Sequence, residues 1–286
     1  MKHKDFTIFI LTHGRPNTIK TIATLKKSGY TGSFYLVVDN EDKSLNEYQQ
    51  KFGLDIVKVF DKKAMADKID EGNNFDNRKV IVHARNVCFD IAKELGITYF
   101  MQLDDDYTAF EYRYISTCGK KLKCIKINNF DTILDLYLDF FIKSNFSTIA
   151  FAQGGDFIGG VQNPYVIKRP LMRKCMNSFI CSTKKPFQFV GSINEDVNTY
   201  TTLASRGVLF GTVPMISLVQ AATQSQKKGM TDIYEKFGTY VKSFTSVMMF
   251  PSAVKVSVMH SINPRIHHLI KWKNTTPVIV SAKHKK

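Results

Sequence analysis

The sequence predicts an α/β protein built on a mostly parallel sheet. Three observations carry that expectation. Short apolar, β-rich runs alternate with helical stripes through the first hundred residues. The first two runs stop at polar breaks, Thr12-His13-Gly14-Arg15 and Asp39-Asn40, where a parallel sheet places ligands, at the carboxyl ends of its strands. The run over residues 99–103 then ends in three consecutive carboxylates, Asp104, Asp105 and Asp106.

In chain order, residues 6–11 (FTIFIL) form a continuous apolar run suited to a strand buried on both faces. Ile19, Ile22, Ala23 and Leu25 recur at near-helical spacing, and Ser28-Gly29 stops that helix. Residues 34–38 read as a second strand, 45–52 as a helix closed by Gly53, and 56–60 as a third strand. This order implies right-handed crossovers between parallel strands. A polar loop over 71–78 precedes a helix over 79–95 that carries His83, Arg85 and Asn86 and stops at Gly96. Residues 112–127 alternate and hold four lysines, which predicts a hairpin turning near Cys118-Gly119. Residues 130–143 carry Ile133, Leu134, Tyr137, Leu138 and Phe141 at helical spacing, with Asp131 and Asp135 toward the positive end of the helix dipole. Later expectations are strands at 147–152, 187–190 and 254–259, helices at 194–203 and 233–244, and a mobile loop at 224–230.

Charge divides the chain. Residues 1–110 hold 16 Lys/Arg and 16 Asp/Glu; residues 111–286 hold 24 and 9, so the whole net charge of +15 follows the acidic triplet. An excess confined to one part of a chain points to an anionic partner for that part. The expected division is a nucleotide-binding half (1–110), a basic half (111–270) and a basic tail (271–286). No apolar run approaches the roughly 18 residues of a membrane span. The five cysteines are an odd number without a C-x-x-C pair, which suits a reduced, cytoplasmic protein.

Adjacent carboxylates repel, so three after an apolar strand need a reason to stay together. A solvated turn is one; a divalent cation sharing phosphate oxygens is the other. Mg²⁺ and Mn²⁺ prefer hard oxygen ligands and usually take only one or two from the protein. Asn194-Glu195-Asp196 opens a helix, either as an N-cap cluster or as the source of a general base. His260 ends a strand and is a candidate metal ligand, with His267 and His268 as competitors.

Residues 10–16 (ILTHGRP), Val38-Asp39-Asn40, Ala84-Arg85-Asn86 and Leu103-Asp104-Asp105-Asp106 together resemble the donor half of GT-A-fold glycosyltransferases. The resemblance implies a single GT-A-like domain, a Rossmann-like nucleotide-binding half fused to an acceptor half. It implies a nucleotide-sugar donor, usually a UDP-sugar, with Mn²⁺ or Mg²⁺. Thr12, His13, Arg15 and Asp39 would hold the nucleotide, Arg85 and Asn86 would line the donor pocket, and Asp104 and Asp105 would face the donor. Asp104, Asp106 and His260 would ligate the metal, and Glu195 or Asp196 would serve catalysis. The first loop reads Thr12-His13-Gly14-Arg15 rather than the commoner Thr-x-Asn-Arg pattern, with Gly14 where that pattern has Asn.

The basic second half, with Phe157, Tyr165, Phe179, Phe187 and Phe189 interleaved among its cations, suits phosphate contacts and base stacking. The chain resembles phage glycosyltransferases associated with TET/JBP-type oxygenases. That resemblance implies a hydroxymethylated pyrimidine in DNA as acceptor and, for a viral protein, the host cytoplasm as location. Competing readings are a GT-A enzyme acting on a polysaccharide or protein, a metal-dependent nucleotidyltransferase, and a non-enzymatic nucleic-acid-binding protein.

Overall fold

The computed structural model describes all residues except 72–77, 79, 164–170, 221–237, 239, 260–263, 278–281 and 283–286. The front of the chain forms β1 (Phe6–Leu11), α1 (Lys20–Lys27), β2 (Ser33–Asp39), α2 (Leu45–Phe52), β3 (Val57–Phe60), α3 (Lys62–Ala66), α4 (Val82–Glu94) and β4 (Tyr99–Asp104). There follow β5 (Tyr107–Ile115), β6 (Leu122–Lys126), α5 (Phe130–Lys143), β7 (Thr148–Gln153) and β8 (Phe179–Ser182). Further along come α6 (Glu195–Ala204), β9 (Phe210–Gln220), α7 (Val241–Met249), β10 (Val254–Met259) and β11 (Arg265–Ile270).

Nine strands make one sheet in the order β3-β2-β1-β4-β8-β7-β9-β5-β6, and β10-β11 make a separate hairpin. The four strands β3-β2-β1-β4 are parallel, so their carboxyl ends share one edge. Only β8 and β5 run against the other strands of the sheet. The sheet is therefore mostly parallel, as expected. The acidic triplet is the short link between β4 in the middle of the sheet and β5 near its far side.

Alternation along β1 explains the two-sided core. Phe9 and Leu11 enter one apolar layer with Val87, Phe89 and Ile91 of α4 and Val197 and Tyr200 of α6. Phe6, Ile8 and Ile10 enter the other, with Leu25 of α1 and Phe130, Leu134, Leu138 and Phe141 of α5. Period-two side chains on a strand covered by helices on both faces give this result. Phe110 of β5 stacks on Phe130 at 4.3 Å, which seats α5 against the sheet.

Several later elements differ from expectation. The strand expected at 187–190 does not form. Phe189 N–H donates to Asn86 Oδ1 (2.8 Å), and its carbonyl accepts from Asn86 Nδ2 (3.0 Å). One buried side-chain amide thus takes the place of a neighbouring strand. β8, four residues long, fills the sheet position instead. β9 went unforeseen because Pro214 interrupts it. Its pairing with β7 shifts between Val213 and Ser217, so the proline lies in a bulge where no ladder hydrogen bond is required of it. The expected hairpin forms, but its first strand starts at Tyr107 rather than residue 112. The helix expected over 233–244 is observed at 241–249; residues 233–237 and the loop at 224–230 lie outside the described residues. Phe179 and Phe189 are core residues, Phe157 is also buried, and Phe187 packs against the core, so these rings are not a stacking platform. Tyr165, Lys168 and Arg169 lie outside the described residues. All five cysteines are free. Among the described residues no helix is long and apolar enough to cross a membrane.

The Asn86 bracket has a measurable consequence. Asn86→Ala strands a buried N–H and C=O at Phe189 and is expected to cost about 1–3 kcal/mol in urea unfolding. An unchanged midpoint would show that the bracket carries no stability.

Candidate active site

The carboxyl ends of β1, β2 and β4 bring three groups of side chains to one edge of the sheet. The first surrounds Asp105, which is buried. Its Oδ2 accepts from Thr12 Oγ1 (2.7 Å) and its Oδ1 pairs with Arg15 (3.2 Å). Tyr48 of α2 joins this group: its hydroxyl lies 2.9 Å from Thr12 Oγ1 and accepts from Arg15 N–H (2.7 Å). The Asp105 carbonyl also accepts from the N–H groups of Lys20 and Thr21 at the start of α1. No side chain caps α1, so the triplet's own backbone satisfies part of that need. Asp105 therefore fastens the first loop and α1 to the end of β4.

The second group surrounds Asp39 at the end of β2. His13 Nδ1 lies 2.7 Å from Asp39 Oδ2, and the buried Lys62 Nζ lies 3.3 Å from Asp39 Oδ1. Burial works against the Asp39 charge, but the His13 hydrogen bond and the Lys62 ammonium hold its carboxyl below the ordinary range. Asp42 completes the turn by accepting from Gly14 N–H (2.6 Å). Gly14 has φ of 67°, the left-handed region that favours glycine.

The third group centres on Arg85, whose side chain is 1% exposed. Its Nη2 donates to Asp104 Oδ1 (3.1 Å) and its Nε to Glu195 Oε1 (2.8 Å). The guanidinium lies over the rings of Phe179 (5.0 Å) and Phe189 (5.9 Å). Burial alone would weaken its charge; Asp104 and Glu195 outweigh that and keep it protonated. Its Nη1 is buried without a hydrogen-bond partner. Arg85 thus ties the last residue of β4 to the first residue of α6.

The carboxylates remain under tension. Burial pushes Asp104 up to about 7 despite Arg85, and Asp106 adds to the rise. Asp105, Asp106 and Glu195 are also raised, burial again the main cause. Gln220 at the end of β9 donates to Asp106 Oδ1 (2.9 Å) and is the only side chain among the described residues that donates to it. No described side chain donates to Asp104 Oδ2. Two under-compensated carboxylates two positions apart at one strand end fit a hard divalent cation. Among the described residues no group of three or more His, Cys, Asp and Glu is placed to hold a metal alone. Asp105 is poorly placed for such a role, because both its oxygens are engaged.

Glu195 and Asp196 are both buried at the start of α6. Asp196 Oδ1 accepts from Val197 N–H (2.7 Å). Asn194 precedes them with φ of 56° and ψ of 41°, a strained setting for a side-chain-bearing residue. Its Nδ2 donates to the Lys242 carbonyl (2.6 Å) and Ser246 Oγ (2.9 Å), which offsets the strain and locks α6 to α7. His260 lies outside the described residues. His267 and His268 lie on β11, next to Lys174.

Direct contacts link Thr12, Asp105 and Arg15, and separately Asp104, Arg85 and Glu195; the two sets meet where Asp104 and Asp105 adjoin in the chain, while His13 and Asp39 form a further pair. Asn86 spends both ends of its amide on Phe189. Sequence reasoning missed Tyr48, Asp42, Lys62 and Gln220. Tyr48, on the buried side of the amphipathic α2, carried a weak signal, since a buried tyrosine needs a partner for its hydroxyl. The other three had none, as their roles arise only from folding.

A family model for TET-associated glycosyltransferases matches residues 6–229. The chain belongs to that family. This TET-associated glycosyltransferase is accordingly a sugar-transferring enzyme with the expected α/β fold. No match was found among curated protein sequences. Among solved structures it is similar to glucosyl-3-phosphoglycerate synthase from Mycobacterium tuberculosis in complex with Mn²⁺ and UDP-glucose, with 9% identity, a TM-score of 0.47, and coverage of 93% of this chain and 86% of that one. It is also similar to the mannosyltransferase PcManGT from Pyrobaculum calidifontis in complex with GDP-Man and Mn²⁺, with 10% identity, a TM-score of 0.48, and coverage of 88% and 75%.

Relieving the triplet's repulsion has a clear expected outcome. Asp106→Asn keeps an acceptor for Gln220 and removes one charge. Its melting temperature without divalent ions should match or exceed wild type by about 2–4 °C, the shift produced by about 1 kcal/mol. Stabilisation by Mn²⁺, read as a rise in melting temperature, should be lost. A wild-type-sized Mn²⁺ shift in this variant would remove Asp106 from the metal site.

Proposed function

We propose that this glycosyltransferase moves a sugar from a nucleotide-sugar donor, a UDP-sugar first, to the hydroxyl of a hydroxymethylated pyrimidine in DNA. The observation that carries the donor side is the convergence of Asp104, Asp106, Arg85 and Glu195 at the carboxyl ends of parallel strands. The acceptor side rests on the family's association with TET and on the +15 net charge that lies wholly beyond residue 110.

Asp104 and Asp106 would hold a Mn²⁺ or Mg²⁺ ion, which supplies Lewis-acid neutralisation of the departing diphosphate. His13 and Asp39 place polar groups at the nucleotide end of the cleft, with Lys62 keeping Asp39 ionised and fixed. Thr12 and Arg15, tied down by Asp105 and Tyr48, shape the first loop around the donor. Arg85 fixes the distance between the donor carboxylates and α6. The acceptor oxygen bonds to the anomeric carbon as the bond from that carbon to the diphosphate oxygen breaks. The nucleoside diphosphate leaves with the electron pair, and the hydroxyl proton passes to the Glu195–Asp196 pair. Asp196 is the freer member, because Glu195 is held by Arg85. Burial raises Glu195, which makes it a better proton acceptor than a solvated carboxylate.

Part of the basic excess has a simpler use. Lys120, Lys121, Lys123 and Lys126 are exposed around β6, the terminal strand of the sheet, and lysines on an edge strand discourage sheet-to-sheet association.

The test is incubation with hydroxymethylated and unmodified DNA, a panel of nucleotide-sugars and Mn²⁺, followed by mass spectrometry of digested nucleosides. The expected result is a hexose-sized mass gain on the hydroxymethylated base only, with release of nucleoside diphosphate. Transfer only to a polysaccharide or protein acceptor, or release of pyrophosphate, would overturn the reading.

A further inference from the structure

Behind the start of α6 lies a group of cations that the donor site does not use. Lys174, which precedes β8, is half-buried, and no carboxylate lies within ion-pair distance of its ammonium among the described residues. Among the described residues the one hydrogen-bond contact of Nζ is His267 Nε2, at 3.4 Å. His267 lies with its ring centroid 4.2 Å from that of His268. His268 is 5% exposed, and neither of its ring nitrogens has a hydrogen-bond partner. Lys242 of α7 and Arg265 at the start of β11 complete the group, and both act electrostatically on Lys174 and His267. Exposure falls stepwise inward: Arg265 is exposed, Lys242, Lys174 and His267 are intermediate, and His268 is buried. Asp196 lies close enough to act on Lys174, and Asn194 joins the Lys242 backbone to the start of α6.

Three full positive charges and two histidines meet here with Asp196 and Asp156 as the acidic neighbours. Asp156 is already paired with Arg173 (3.3 Å). A metal ion is ill suited to a place where an ammonium touches a histidine nitrogen. An anion is well suited: it would give Lys174 a charged acceptor and the buried ring an acceptor for its N–H. Burial, then the Lys174 charge, pushes His267 down to about 4 and His268 down to about 2, as expected where positive charge is left uncompensated. Tyr240, just before α7, and Phe244 on it are about half exposed, with ring centroids 6.2 Å apart. Both lie two positions from Lys242 in the sequence.

We propose that Lys174, Lys242, Arg265, His267 and His268 form a phosphate subsite that holds a backbone phosphodiester of the acceptor strand beside Glu195 and Asp196. This rests on the DNA-acceptor reading above and deepens it. The subsite positions the strand; it takes no part in bond making. Lys174 and the histidines grip one phosphate, and Arg265 guides the strand from solvent.

Two measurements separate the subsite from the acceptor class. In the first, the His267 and His268 ring signals are followed by ¹H–¹⁵N NMR while the protein is titrated with inorganic phosphate and, separately, with dimethyl phosphate. Saturable shifts in wild type that vanish in Lys174→Gln are expected. Absence of saturable shifts with either anion overturns the subsite whatever the acceptor is. In the second, sugar transfer is compared for a hydroxymethylated oligodeoxynucleotide and for the matching free nucleoside, which has no phosphate. Lys174→Gln and Arg265→Gln are expected to raise KM for the oligonucleotide about 10–100-fold with little change in kcat, and each to reduce the salt slope by about one. Transfer to the free nucleoside should be unaffected. Equal losses on both acceptors would show a structural role and overturn the proposal. Saturable anion shifts with no transfer to any oligonucleotide would leave an anion site standing while the DNA reading falls, and with it the assignment to a DNA phosphodiester.

Discussion

Arg85 is the interaction on which the site depends. It is a buried guanidinium between a carboxylate from β4 and a carboxylate from α6, with aromatic rings on its face. Asp104 and Glu195 are 91 residues apart in sequence, and neither would sit beside the other without a cation between them. Arginine suits the task because its planar fork serves two acceptors and stays charged when buried. A lysine would offer one point charge and lose more on desolvation.

The acidic triplet divides its labour around that guanidinium. Asp105 is structural: it fastens the first loop through Thr12 and Arg15, and its carbonyl receives the start of α1. Asp104 and Asp106 keep capacity for a ligand, at the expense of mutual repulsion in a partly dry setting. In the proposed reading the donor chemistry sits on rigid strand ends, and two residues join β4 to β5. The cations beyond residue 110 also divide, some guarding the sheet edge at β6 and some gathering near α6.

Much of the architecture was legible because periodicity reports burial. β1, α2, α5 and β10 occupy the residues expected from their patterns. Failures came where side chains replace backbone partners or where a breaker is tolerated. The run around Phe189 looks like a strand, yet Asn86 takes its hydrogen bonds. β9 contains a proline that only its bulge permits. At the site, motif residues at strand ends could be named in advance, since strand ends are where a parallel sheet gathers ligands. The pairing of Arg85 with Glu195, the burial of Lys62 against Asp39 and the approach of Gln220 to Asp106 could not, because long-range packing alone creates them. Of the rings expected to stack, Phe157, Phe179 and Phe189 are buried and Phe187 packs against the core for the same reason: sequence shows an aromatic residue but not which way it faces.

The direct test of the Arg85 bridge is a stability cycle by urea unfolding of Arg85→Leu, Asp104→Asn with Glu195→Gln, and the combined triple variant. If Arg85 holds a buried and a half-buried carboxylate together, Arg85→Leu alone should cost about 3–5 kcal/mol by leaving them unpaired, and the triple variant should recover at least about 1 kcal/mol of it. Strictly additive losses would contradict the bridge as the element that joins the two halves of the site.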